Sequence, residues 1–150
     1  MVKKLFFDVL IDAPAHRVYA VMLGIDTYGE WTSAFDPTSH FEGGWEKGSK
    51  IRFLGIGPDG KKMGMVGHIE ENIPDEYISI RYDGVVDGEH ELTSGPAAEG
   101  WVGANESYSF KKEAENTTRL FVEVDSKEEY VDHFTSQWPD ALARLKRICE

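Results

Sequence analysis

The sequence predicts an α+β fold: a curved antiparallel sheet of about six to seven strands, wrapped around one long C-terminal helix, with two short helices after the first strand. Three observations predict it. Residues 126–149 carry an apolar stripe at alternating three- and four-residue steps, the mark of an amphipathic helix. Most of residues 40–125 instead alternate with a period of two, punctuated by glycine and proline turns. The helices fall at the two ends of the chain and the strands between them, which favours an antiparallel sheet over parallel βαβ units.

Taken in order, residues 3–11 (KKLFFDVLI) are rich in branched and aromatic side chains and read as a strand. Asp12-Ala13-Pro14 then predicts a helix start with proline at its first position, where a missing N–H costs nothing. Val18, Val21 and Met22 share one face of this helix, and Gly24 ends it. A second helical piece spans Ile25 to Ala34 and spaces Tyr28, Trp31 and Phe35 along one side. Strands follow at 40–46 and 49–56, the second alternating Ile51 and Phe53 with Lys50 and Arg52. Gly57-Pro58-Asp59-Gly60 is a turn. Residues 62–72 place Met63, Met65 and Ile69 together, and residues 76–82 do the same for Ile78, Ile80 and Tyr82. The next eighteen residues, 83–100, hold four glycines, a proline and five acids. They read either as a long loop of the kind that lids a site or as a short strand around Val85–Leu92. Residues 101–112 and 118–125 alternate again, joined at Glu115-Asn116.

The final helix is predicted to open on a capping box, Ser126 with Glu129. Val131, Phe134, Trp138, Leu142, Leu145 and Cys149 form its stripe, and Lys146 and Arg147 suit the dipole at its end. Pro139 interrupts it. A proline inside a helix removes one hydrogen bond and crowds the carbonyl of Thr135, so the sequence predicts either a kink or two abutting helices.

The totals narrow the function classes. The chain has 150 residues, the length of one domain, and residues 1–150 are read as a single unit. Sixteen basic against twenty-seven acidic residues leave a net charge of −11, which repels phosphate backbones and argues against nucleic acid as partner. No stretch reaches the length of a membrane span. The opening MVKKLFFDVLIDAP has lysines before an apolar run, but Asp8 and Asp12 break the run and no small-residue cleavage site follows, so no export signal is expected. With Cys149 the only cysteine, no disulfide framework forms within the chain, which fits a cytoplasmic protein.

Three stretches, in order, resemble one superfamily. IDAPAHRVYAVMLGIDTYGEWTSAF resembles the opening of START-like, birch-pollen-allergen-like (SRPBCC) domains, with Ala13-Pro14 starting the helix and Trp31 after the second one. GHIEENIPDEYISIRY resembles the family's glycine and branched residue, then acid, proline and next strand; WPDALARLKRICE resembles its terminal helix. The similarity is closest to the branch named after the activator of the heat-shock-protein ATPase (AHSA-type domains). It implies the helix-grip fold and a cavity between sheet and helix. Members of the superfamily bind lipids, sterols, polyketides or similar apolar compounds. A minority are cyclases or hydrolases, and one group activates a chaperone ATPase. The superfamily has no common catalytic residues to carry over.

The candidate ligand-binding residues are therefore Trp31, Phe35, Phe53, Met65, Ile80, Tyr82, Trp101, Glu106, Tyr108, Phe134 and Trp138, with Met63 as further adaptable lining. Any one aromatic taken alone is better explained as core; as a group they suit a pocket wall. Trp31 and Trp101 lie beside loops and are expected at its mouth. Glu106 shares the parity of Tyr108 and Phe110 and so faces the same side, where burial would raise its pKa and suit it to orient a ligand or to act as acid–base. The competing placement is at the rim, in water. By the same parity, Arg52 and Arg81 point away. The five histidines form no HxH or HxxxH pair, and Glu89-His90-Glu91 in the acidic loop reads as solvated rather than as a metal site. No cofactor motif is present, and the glycines of GIGPDGKKMG make turns rather than a phosphate cradle.

Overall fold

The computed structural model describes residues 2–150. In chain order the elements are β1 (Val2–Ile11), α1 (Ala15–Leu23), α2 (Tyr28–Thr32), β2 (His40–Gly43), β3 (Lys50–Ile56), β4 (Lys62–Ile73), β5 (Tyr77–Asp87), β6 (His90–Leu92), β7 (Asn105–Ala114), β8 (Thr117–Lys127) and α3 (Val131–Cys149). One antiparallel sheet runs β1-β8-β7-β5-β4-β3-β2, and β6 pairs with the far end of β5. This is the predicted α+β helix-grip arrangement.

The first helix begins one residue later than expected. Pro14 sits at the cap position with extended backbone (φ −70°, ψ 156°), and its carbonyl accepts the first helical bonds from Arg17 and Val18. Val18, Val21, Met22 and Leu23 are buried. The Trp31 indole N–H donates to the Met22 carbonyl at 3.0 Å, which ties α2 to the end of α1.

α3 buries Trp138, Ala141, Leu142, Leu145 and Cys149, at roughly 1.5–3 kcal/mol for each large apolar side chain taken fully out of water. It is one element, with Pro139 inside it, so the alternative of two abutting helices is set aside. The capping box does not form. Ser126 is still paired with Lys3 in the β1–β8 ladder, which holds it extended, and its hydroxyl donates to the Lys127 carbonyl. A 3-10 turn, Glu128–Tyr130, then leads into α3.

α3 lies against β1, α1 and α2, and only lightly on β8. The middle strands β3, β4 and β5 therefore have no helix over much of their concave face. Two register shifts between β4 and β5, at Val66/Gly67 and at Ile69/Glu71, sharpen the bend of that region. Gly67 is required at the first, because a Cβ there would stand 2.5 Å from the Arg81 carbonyl oxygen.

Residues 83–100 are not a structureless lid. β5 continues to Asp87, the chain turns at Gly88 (φ +63°), and β6 pairs back, so the short-strand alternative holds. Further on, Ala98 and Glu99 N–H donate to the Gly95 carbonyl, and the residues just after the segment are tied to β5. Tyr82 N–H donates to the Ala104 carbonyl and Gly103 N–H to the Tyr82 carbonyl, each at 2.8 Å, and Ala98 is fully buried. Consequently β7 starts at Asn105 rather than at 101.

Candidate functional site

Between the bare part of the sheet and α3 lies a cavity of about 810 Å³. Tyr28, Trp31, Thr32 and Phe35 come from α2 and the turn after it. Phe53, Met63 and Met65 come from β3 and β4, Tyr82 from β5, Glu106 from β7 and Val124 from β8. α3 contributes His133, Phe134, Gln137 and Trp138, and the loop before β7 contributes Trp101. The exposed lining residues, Pro37, Thr38, Ile56, Pro58, Met63 and His133, mark the rim.

The walls are rings in contact. Tyr28 meets Trp31, Phe41 and Phe53 with centroids 5.2–6.0 Å apart, and Phe53 meets Tyr82 at 6.1 Å. Across the cavity, Trp138 packs on Phe35, Phe7 and Trp31. Trp101 meets Phe134 edge-on and Tyr130 at a tilt, under the Lys127 ammonium at 5.9 Å.

One acid stands in this apolar surround. Strand parity aims Glu106 inward, and the side-chain surface it keeps accessible faces the cavity. The Tyr82 hydroxyl donates to Oε1 at 2.9 Å, and the Tyr108 hydroxyl donates to Oε2. Burial pushes the Glu106 carboxyl above its usual range, and the two tyrosine donors partly offset this. Burial, and then the neighbouring carboxylate, hold both tyrosines far above the usual phenol value. A carboxyl so placed can fix the polar end of a ligand or exchange a proton with it.

Nine of the eleven candidate residues line the cavity: Trp31, Phe35, Phe53, Met65, Tyr82, Trp101, Glu106, Phe134 and Trp138. Ile80 and Tyr108 do not. Both face the right side, but they sit under neighbouring side chains with 0% and 1% exposure, Tyr108 beneath Trp138. Trp31 is not at the mouth either: it is 1% exposed, held inside by its bond to Met22. Trp101 does sit near the rim. Arg52 and Arg81 point outward as expected, to Glu91 and to Glu70. Glu91 is thus taken up by Arg52 and Lys50 rather than by His90. Among the described residues, no three His, Cys, Asp or Glu side chains gather as a metal site, and no helix is long and apolar enough to cross a membrane.

Sequence reasoning missed Tyr28 and Gln137 as lining. Both had a signal, since each is three residues from a named candidate on its own helix (Trp31 and Phe134). The Oε1 atom of Gln137 is buried in the wall with no partner among the described residues.

No curated protein sequence matches the chain. Many solved structures share its fold. The Aha1 dimer from Colwellia psychrerythraea is 19% identical, with 99% of this chain and 96% of that one covered and a TM-score of 0.70. A protein of unknown function from Staphylococcus aureus is 16% identical over 99% and 94% of the two chains, with a TM-score of 0.74. A protein from Arthrobacter aurescens is 17% identical over 97% and 85%, with a TM-score of 0.72. At these identities the likeness concerns the fold. The family profile described as Activator of Hsp90 ATPase homolog 1-like protein matches residues 12–150, and the chain belongs to that family.

Proposed function

We propose that residues 1–150 act as one domain that holds an apolar or amphipathic small molecule between the sheet and α3. The observation that carries this reading is the cavity itself. Its volume, about 810 Å³, falls within the roughly 300–1,000 Å³ of small-molecule sites, and its lining brings eight Phe, Tyr and Trp rings together with Glu106. A core built only for stability would close such a space, because protein interiors pack to the density of organic crystals. The test is titration with a panel of lipids, sterols and flavonoids, read by native mass spectrometry and by the indole resonances of Trp31, Trp101 and Trp138. Binding is expected to move those resonances together. A panel that leaves all three unmoved overturns the reading.

A second reading is an enzyme of the cyclase or hydrolase kind, with Glu106 as acid–base group. It is favoured by the raised carboxyl pKa and the two tyrosines that orient the group. NMR titration of Glu106 tests it, since an unshifted carboxyl would have no advantage at neutral pH. The family description also supports a chaperone-directed role, for which stimulated ATPase activity on mixing is the test. We place the protein in the cytoplasm on the strength of its lone, buried cysteine.

A further inference from the structure

We propose that the cavity selects apolar molecules whose one polar end donates hydrogen bonds, a protonated amine above all and a hydroxyl after it, and that it turns carboxylates away. This rests on the small-molecule reading above and specifies the ligand's chemistry.

The charged side chains on the lining are Asp36, Glu106 and Asp125, and no lysine or arginine joins them among the described residues. The one histidine on the lining, His133, stands exposed at the rim rather than in the interior. An anion brought to the interior would lose its hydration and meet no opposite charge, the most expensive way to bury a charge.

The hydrogen-bonding groups point the same way. The interior donors that have found partners are spent on the protein. Tyr82 and Tyr108 both donate to Glu106, Trp31 donates to the Met22 carbonyl, and the Thr32 hydroxyl donates to the Tyr28 carbonyl. Acceptors remain in the interior. The two carboxyl oxygens of Glu106 and the hydroxyl oxygens of its tyrosines keep free lone pairs. Independently, Gln137 Oε1 lies buried in the same wall with no partner among the described residues. Such an atom carries a standing penalty that a ligand N–H or O–H would relieve. The remaining donors, the indole N–H groups of Trp101 and Trp138 and the Gln137 amide, are neutral and too weak to compensate a buried anion. A protonated amine suits the site best because its bond to Glu106 would be charge-assisted on both sides.

The experiment compares three ligands with the same ten-carbon tail, decylamine, 1-decanol and decanoate, below their micelle concentrations. Binding is read by tryptophan fluorescence and calorimetry at physiological salt, where long-range attraction to the acidic surface is screened beyond about 8 Å. Decylamine is expected to bind about tenfold or more tighter than decanoate, with decanol between them, the size of effect that one charge-assisted bond supplies. Glu106→Gln, nearly isosteric, is expected to shrink the amine's advantage over decanol by about tenfold. The order in the unaltered protein stands as a test even if that variant folds poorly. Decanoate binding as tightly as decylamine overturns the proposal and leaves the small-molecule reading in place. An unchanged amine advantage in Glu106→Gln also overturns it, because general surface charge would then explain the preference. If none of the three binds, the small-molecule reading falls and this proposal with it.

Discussion

Trp138→Ala is the substitution whose consequence the structure predicts most directly. Trp138 is 4% exposed and joins four parts of the fold. Its ring centroid lies 5.0 Å from Phe35, 6.0 Å from both Phe7 and Trp31, and 6.4 Å from Tyr108. Truncating a buried tryptophan to alanine costs about 3–5 kcal/mol, the sum of lost transfer free energy and the void left behind. Aromatic pairs add about 0.5–1.5 kcal/mol each beyond area. Against this, Trp138 lines the cavity, so part of its surface has no protein neighbour to lose, and the new void merges with an existing one. The low end is therefore expected, about 3 kcal/mol. At about 2–4 °C per kcal/mol for a domain of this size, the melting temperature should fall by roughly 6–12 °C. Urea unfolding followed by far-UV circular dichroism measures it, with the midpoint falling and the slope unchanged. Trp138→Phe, which keeps much of the ring contact, should lose less than half as much. A loss below about 1 kcal/mol for the alanine variant would refute the reasoning, since the side chain would then be a flap on the cavity wall rather than the joint between α3, β1 and α2.

Three further outcomes follow from particular groups. Pro139→Ala restores a donor to the Thr135 carbonyl at an exposed helical position and should raise stability by about 1–2 kcal/mol; a loss in chemical denaturation would mean that Pro139 itself helps to seat Trp138. Because burial raises the Glu106 pKa in the folded state, the fold holds this proton more tightly than the unfolded chain does. Its contribution is complete below the unfolded value of about 4.3 and is lost as pH rises through the raised folded value. Glu106→Gln cannot ionise, so its stability relative to the original should improve from acid to neutral pH, and parallel curves of unfolding midpoint against pH would contradict this. Cys149 is 2% exposed, burial pushes its thiol up to about 11, and the Arg17 side chain donates to its carbonyl at 2.6 Å. A disulfide reagent should therefore react only slowly at neutral pH and faster in sub-denaturing urea; immediate native-state reaction would show that the last turn of α3 frays.

Periodicity made the architecture legible, because a strand's inward set and a helix's stripe are written in consecutive residues. The stripe from Phe134 to Cys149 and the alternation of Leu120, Val122 and Val124 needed no tertiary information. What escaped depends on contacts between distant residues. Ser126 has the local form of a helix cap but is claimed by the ladder with β1. The bulge opposite Val66 and Gly67 shifts the parity of β5, so that Val85 pairs with Met65 while Val86 joins a small cluster with Leu54 and Val66. Parity also showed that Ile80, Glu106 and Tyr108 share a face, but not where α3 would lie on it. That position leaves Glu106 bordering open space and Tyr108 covered.

The pairing of β1 with β8 also sets a schedule for synthesis. Every partner of β1, from Lys127 opposite Val2 to Thr118 opposite Ile11, lies more than a hundred residues downstream. At about 5–20 residues per second, the first strand emerges several seconds or more before the strand that completes it. Through that interval a ribosome-bound chain presents an unpaired edge carrying Leu5, Phe6, Phe7 and Val9, a template for pairing with other nascent chains. Lys3, Lys4 and Asp8 are interspersed along the same strand, and charges of that kind discourage edge-to-edge association. In the finished sheet β1 still has β8 on one side only, so the same charges guard its outer edge after folding as well as during translation.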